Sequence, residues 1–320
     1  MDSARESVFG RWLLHKANHQ ESTLPALHMA GKVAAFFTLM RPKNVVLASA
    51  TVPLGAYFAL MGTNVEMPWI VIACHTLAVL SFTGAGNAMN DLKDAEIDIV
   101  AHPFRPLPSG QLTISQAQWF TVLLWLGSVF AHITGVMLYD TDMEIIVPTV
   151  LIYILAVVLM VTYDHGVMTK NKGLFGNIVI SVLVGAVILY GAAAVGGLMR
   201  GFIWWIFGVV FFSNLARELV KDCMDMEADA ATRQTLPMQW GKERVRMFAY
   251  VLLMGALICL YLPFWRGPFQ FGQLLLQTPA ILLLITLNGP LFAGKDALVA
   301  SRIRIAMLLG LLSFIVASVL

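Results

Sequence analysis

Nine apolar stretches dominate this chain, each about 18–25 residues long, the length an α-helix needs to cross the hydrocarbon core of a bilayer. They fall near residues 44–62, 68–90, 115–139, 144–163, 174–199, 201–221, 243–264, 274–293 and 301–320. Lipid offers no partner to a backbone N–H or C=O, so a spanning segment must satisfy its own, and a helix does so residue by residue. The sequence therefore predicts an all-α, polytopic membrane protein with nine transmembrane helices around a central cavity. Composition agrees, since 58% of the 320 residues are hydrophobic and 12% charged, too apolar for a soluble domain of this length. A net charge of only +2 gives no reason to expect a nucleic-acid partner.

The few charges are informative by position. Lys and Arg collect on the cytoplasmic side of membrane proteins, and all 21 basic residues except Arg200 and Arg266 fall before the first stretch or in alternate connections after it. This predicts an integral, multi-pass protein with a cytoplasmic N-terminus and an external C-terminus. Residues 1–40 mix charges such as Arg5, Glu6 and Lys16 with the apolar pairs Trp12-Leu13 and Phe36-Phe37. That mixture suits a cytoplasmic segment at the membrane interface and not a signal peptide, and leaves 41–320 as the transmembrane domain. Three cysteines, Cys74, Cys223 and Cys259, without metal-ligand spacing, argue against disulfides and structural zinc. His75 and His132 stand alone on apolar helices and are expected to be hydrogen-bonded core residues.

Two short acidic blocks interrupt the apolar pattern. "NDLKDAEID" at 90–98 and "KDCMDMEAD" at 221–229 share one spacing, with Asp91, Asp94, Glu96 and Asp98 echoed by Asp222, Asp225, Glu227 and Asp229. Each block begins where an inward-running helix, the second or the sixth, reaches the cytoplasm, so the echo reads as a parallel internal repeat offset by four helices. At about 100° per residue, Asn90, Asp91, Asp94 and Asp98 share one helical face, as do Asp222, Asp225 and Asp229, while Glu96 and Glu227 point elsewhere.

Three carboxylates on one face at a bilayer edge repel one another unless something positive lies among them. Hard oxygen ligands without His or Cys favour Mg²⁺, with Mn²⁺ as the second choice, and such ions keep positions for water and substrate phosphate. Two such faces could hold two ions with a diphosphate between them. Basic residues that could reach phosphate oxygens flank the blocks: Arg41, Lys43, Lys93, Arg105, Lys170, Arg217, Lys221 and Arg233. Solvated helix ends explain one such block as well as a metal does; two with the same spacing in equivalent places favour the metal.

These residues resemble the UbiA-type intramembrane prenyltransferases. The resemblance runs from "RPKN" at 41–44 through the block at 90–98, "RPLPSG" at 105–110, Tyr163, Lys170 and "GLFGN" at 173–177 to "NLARELVKDCMDMEADAATRQTLPMQWG" at 214–241. Within that family, the last run is most similar to the branch that transfers a geranylgeranyl group to geranylgeranylglyceryl phosphate. The resemblance implies a polyprenyl diphosphate bound through two Mg²⁺ ions and ionised to an allylic carbocation. Asn90, Asp94 and Asp98 would serve one ion and Asp222, Asp225 and Asp229 the other, with Asp91 supporting the first set. Arg41, Lys170 and Arg233 would clamp phosphate, with Asn44, Lys93, Arg105, Arg217 and Lys221 also toward substrate. Tyr163 would border the reacting carbons, where an aromatic face stabilises a cation.

The implied partners are a polyprenyl diphosphate, a lipophilic acceptor and membrane lipids, with no obligate protein partner and an active site open to the cytoplasm. An aromatic acceptor, as in quinone pathways, would use the same metal site, and a cyclase of the same fold would capture the cation with the substrate's own double bonds. A transporter also fits parallel repeats and intramembrane acids, but it calls for charges near the bilayer midplane, whereas here they lie at helix ends.

Overall fold

The computed structural model describes residues 25–139, 142–229 and 234–320. Among these, nine segments are long and apolar enough to cross a membrane, as expected. In chain order the helices are α1 (Pro25–Met40), α2 (Pro42–Leu60), α3 (Trp69–Lys93), α4 (Ala95–Ala101), α5 (Ile114–Leu138), α6 (Met143–Asp164) and α7 (Leu174–Ala193). They continue as α8 (Gly201–Asp229), α9 (Leu236–Trp240), α10 (Lys242–Trp265), α11 (Thr278–Ile285), α12 (Asn288–Phe292) and α13 (Asp296–Val319), with 3-10 turns at Thr169–Asn171 and Phe271–Gln277. No strand is present among the described residues; one isolated parallel bridge joins Lys172 to Gln234.

The spans lie where apolar periodicity puts them, with four differences. The fifth span, α7, ends at Ala193 rather than near 199, because the chain turns at Gly196-Gly197. The sixth, α8, continues as one helix through the second acidic block, and the last, α13, starts five residues early at Asp296. The eighth span is broken into a 3-10 turn, α11 and α12. Inside lipid such breaks need substitute partners for the freed polar groups. Side chains of the first piece supply contacts to α13: Gln273 Nε2 donates to the Ala317 carbonyl at 2.9 Å and Gln277 Nε2 to the Gly310 carbonyl at 3.2 Å.

Helices in lipid associate through close packing rather than through escape from water, so small residues mark the tightest contacts. The tightest is between α2 and α7. A Cβ placed on Gly191 would sit 2.1 Å from the Val52 carbonyl oxygen, and one on Gly55 would sit 2.2 Å from that of Ile188. Each helix that ends in an acidic block packs most closely on the spanning helix that follows it, α3 on α5 and α8 on α10. Aromatic residues fill one end of the interior, where Phe58 meets Phe314 edge-on at 6.4 Å and Phe264 stacks on Phe314 at 5.7 Å. Leu219, Leu253, Leu284 and Ile303 fill a second cluster toward the acidic end. α1 enters the core through Ala35 and Leu39, which pack with Ala88 of α3 and Ala117 of α5.

His75 and His132 are buried and hydrogen-bonded, as expected. Both Nδ1 atoms lie 2.7 Å from the Tyr190 hydroxyl, and His132 stacks on Tyr153 with ring centroids 4.0 Å apart. One hydroxyl has one proton to donate, so it donates to one imidazole and accepts from the other, and the two histidines are opposite tautomers.

Candidate active site

The first acidic block straddles a helix break. α3 ends at Lys93, Asp94 turns the chain with φ −94° and ψ 8°, and α4 resumes at Ala95. The backbone ladder survives the turn, with Asp94 N–H donating to the Asn90 carbonyl at 2.9 Å and Asp98 N–H to that of Asp94 at 2.8 Å. The acids therefore keep their shared face but separate into two edges. Asn90 and Asp94 lie along one, Asp91 and Asp98 along the other, and a different set of cations meets each.

Arg41 and Arg105 hold the second edge. Arg41 follows α1 and precedes Pro42, and a residue before proline is disfavoured in the right-handed helical region. It adopts φ 56° and ψ 71°, separating α1 from α2 and directing its guanidinium to Asp91 through an ion pair. Asn87, one turn before Asp91, pins this junction by donating to the Met40 carbonyl at 2.7 Å. Arg105 Nη1 binds Asp98 Oδ2 at 2.5 Å and approaches Asp91 Oδ1 at 3.5 Å. A capping box at Thr113 and Gln116 closes the loop that carries Arg105 and starts α5. Asp91 and Asp98 are buried, at 4% and 3% exposure, and acids this deep at a bilayer edge are costly unless paired, as both are here.

Lys170 holds the first edge. Its Nζ lies 3.0 Å from Asp94 Oδ1, 3.5 Å from Asn90 Oδ1 and 2.9 Å from Asp164 Oδ1. Asp164 is 1% exposed at the end of α6, beside Tyr163, and sequence reasoning passed over it. The turn bearing Lys170 is seated on α7: a Cβ on Gly176 would stand 2.6 Å from the Thr169 carbonyl oxygen, so only glycine permits this approach. The residue after it, Asn177, donates through Nδ2 to Asp222 Oδ2 of the second block at 2.7 Å. Ser181 in turn donates to the Asn177 carbonyl and receives from Asn214 of α8. A continuous path of contacts thus runs from Asp94 through Lys170 and the start of α7 to Asp222. The bridge between Lys172 and Gln234 ties the two following loops together as well.

The second block lies on the unbroken end of α8. Asp222 and Asp225 are half-buried and Glu227 is exposed, as the helical spacing predicts. Glu218, one turn earlier on the same face as Asp222, holds both basic neighbours: Arg217 Nη1 at 2.7 Å and Lys221 Nζ at 2.8 Å. Arg217 and Lys221 are thus engaged by Glu218 here. Lys93 and Asn44 are exposed, and Tyr163 is half-buried next to Asp164. Arg233 lies outside the described residues, as does the side chain of Asp229.

Among the described residues, no three His, Cys, Asp or Glu side chains are grouped as they would be around a metal ion. The carboxylates of the first block are instead engaged by cations, Asp91 by Arg41, Asp98 by Arg105 and Asp94 by Lys170. The donors nevertheless fit a divalent ion in kind, being hard oxygens from carboxylates and one amide without nitrogen or sulfur ligands.

Fold and site together define a polytopic, all-helical membrane protein with an acid-rich, cation-laced site at one end of its bundle. Comparison with known proteins narrows this: the chain belongs to the UbiA prenyltransferase family, which it matches over residues 48–297, and is a prenyltransferase embedded in the membrane. It is 32% identical to the digeranylgeranylglyceryl phosphate synthase of Methanopyrus kandleri, across 88% of this chain and 98% of that one. To the synthase of that name from Methanoculleus marisnigri it is 30% identical, across 90% and 99%. A solved structure concerning digeranylgeranylglyceryl phosphate synthase in membranes superposes with a TM-score of 0.69 at 27% identity, across 90% of this chain and 99% of that one. A UbiA homologue from Archaeoglobus fulgidus, solved with GPP and Mg²⁺, shares the fold with a TM-score of 0.63 at 15% identity, across 89% and 100%.

Proposed function

We propose that this chain transfers a geranylgeranyl-like group from its diphosphate to a prenylglyceryl phosphate, making an ether lipid, with Mg²⁺ bound and the site open to the cytoplasm. The observation that carries the reading is the alternation of carboxylates and cations at the ends of α3 and α8, joined through Lys170 and Asn177. A bound metal diphosphate needs both signs within reach, acids for the ions and bases for the phosphate oxygens. The named synthases of Methanopyrus kandleri and Methanoculleus marisnigri support the acceptor, and the A. fulgidus homologue supports a magnesium-bound prenyl diphosphate.

Asn90, Asp94 and Asp98 would hold one ion and Asp222, Asp225 and Asp229 the other, with Asp91 behind the first set. The ions supply charge neutralisation of the leaving diphosphate. Lys170, Arg41 and Arg233 bind the phosphate oxygens, and Lys170 keeps a second anchor on Asp164 while it does so. The bond from C1 of the prenyl chain to diphosphate oxygen breaks with its electron pair going to the diphosphate. The acceptor hydroxyl oxygen then bonds to C1, and its proton passes to the departing diphosphate. Tyr163 presents a ring beside the allylic cation, which an aromatic face stabilises.

Incubation of the purified protein with Mg²⁺ and geranylgeranyl diphosphate, with and without geranylgeranylglyceryl phosphate, tests this by mass spectrometry. A lipid bearing both chains is expected. Diphosphate release that yields a cyclic hydrocarbon without acceptor would overturn the proposal in favour of a cyclase. Turnover only with an aromatic acceptor would place the chain in quinone-type chemistry.

A further inference from the structure

An open polar cleft lies on the reverse side of the second acidic block, lined by Cys223 and Met224. The ends of α8, α10 and α13 enclose an open cleft of about 540 Å³ whose walls include Lys242, Arg246, Lys295, Met224 and Leu298. That is the scale of a pocket for a small ligand, ~300–1,000 Å³. Cys223 and Met224 line it, and at about 100° per residue they point away from the face of Asp222 and Asp225. The cleft is therefore separate from the site described above and shares only its supporting helix.

Its chemistry is that of an anion site with an apolar wall. Arg246 is fixed by a bidentate pair with Asp296, Nε to Oδ1 at 2.9 Å and Nη2 to Oδ2 at 2.7 Å, which leaves the Nη1 donors outside the pair. Lys295 is exposed beside the cleft, and Lys242 has Glu227 as a distant partner, at 3.8 Å. Among the residues that line the cleft itself, Lys242, Arg246 and Lys295 outnumber Asp296, while Glu227 and Glu243 lie beside its rim. α13 begins at its edge with no side-chain cap on its first turn, so the positive end of a helix of 24 residues adds to the field. Beside these groups Met224 and Leu298, at 46% and 41% exposure, continue the wall as an apolar surface. Basic pockets between spanning helices at the membrane surface suit anionic headgroups, and Met224 and Leu298 give this one an apolar flank.

We propose that this cleft binds the phosphate headgroup of an anionic phospholipid and braces the end of α8 that carries Asp222 and Asp225. The full-length protein, reconstituted in phosphatidylcholine nanodiscs with or without phosphatidylglycerol, tests it by thermal unfolding and by native mass spectrometry of retained lipid. Phosphatidylglycerol is expected to raise the Tm of the wild type by about 1–2 °C, the shift that a kilocalorie gives at ~2.1 cal/mol/K of unfolding entropy per residue in a chain of this length, and to co-purify with it. The variant K242Q/K295Q should lose both effects. Inorganic phosphate added to pure phosphatidylcholine discs separates the sources: protection by phosphatidylglycerol alone assigns a bilayer headgroup, protection by phosphate a soluble anion at the same site. Equal protection of wild type and variant, or none of the wild type, overturns the proposal. Should the double variant fail to fold, K295Q alone, at an exposed position, carries the same comparison.

Discussion

At the scale of the residue, the position of Lys170 is set by carboxylates on two helices. Asp94 and Asp164 lie 3.0 and 2.9 Å from its Nζ, so Asp164 keeps the ammonium in place whenever Asp94 turns to another partner. Asp164→Asn is expected to lower kcat by about 10–100-fold, the range for losing an outer partner of a site residue, with a smaller change in KM for the prenyl diphosphate; steady-state kinetics on folded protein reads this. Asp94→Ala or Asp225→Ala should abolish Mg²⁺-dependent diphosphate release while the protein still folds and inserts, and Glu96→Ala, off the face and exposed, should cost little. Full activity in both aspartate variants would remove the two-ion site. Much of this was legible in the sequence, because charges are so scarce that a repeated acidic spacing stands out. Asp164 was not, since a lone acid at the end of an apolar stretch reads as a boundary, and Glu218 stood unremarked inside a quoted motif. Asn177 was quoted only as part of a motif, and its role depends on which helix its amide faces.

At the scale of the element, apolar length fixed the spans well, because a segment in lipid must close its own backbone hydrogen bonds. The break in the eighth span was invisible to length, since Gln273 and Gln277 bind carbonyls of α13, a partner 44 residues away in sequence for the first of them. The contact between α2 and α7 was equally hidden, being a matter of which glycines face each other. Gly191→Leu, with its first side-chain atom directed at the Val52 carbonyl, should destabilise the protein by about 1–3 kcal/mol or more, as overpacking does. Tyr190→Phe tests the α3, α5 and α7 junction: it strands two buried imidazole nitrogens, at a cost of about 1–3 kcal/mol for each group left unpaired. Both are read by thermal unfolding in detergent, and wild-type stability in either would show that the packing there is slack.

At the scale of the whole molecule, the two acidic blocks sit on separate helices that each lean on the next, and the turn at Lys170, with α7 behind it, joins them. Chelation of divalent ions from the purified protein should leave its helix content intact and lower its Tm only modestly, since Arg41, Arg105 and Lys170 already compensate Asp91, Asp98 and Asp94. Collapse of the fold on chelation would contradict that. The same ion pairs bear on how such a chain reaches its membrane. A nascent helix ending in bare carboxylates meets the bilayer edge with uncompensated charge, whereas this one brings its own counter-ions from the preceding junction, the next loop and the turn after α6. Assembly in the lipid can therefore be completed on these pairs alone, and under the proposed function ion loading would be an exchange that frees the ammonium and guanidinium groups for the substrate's phosphates.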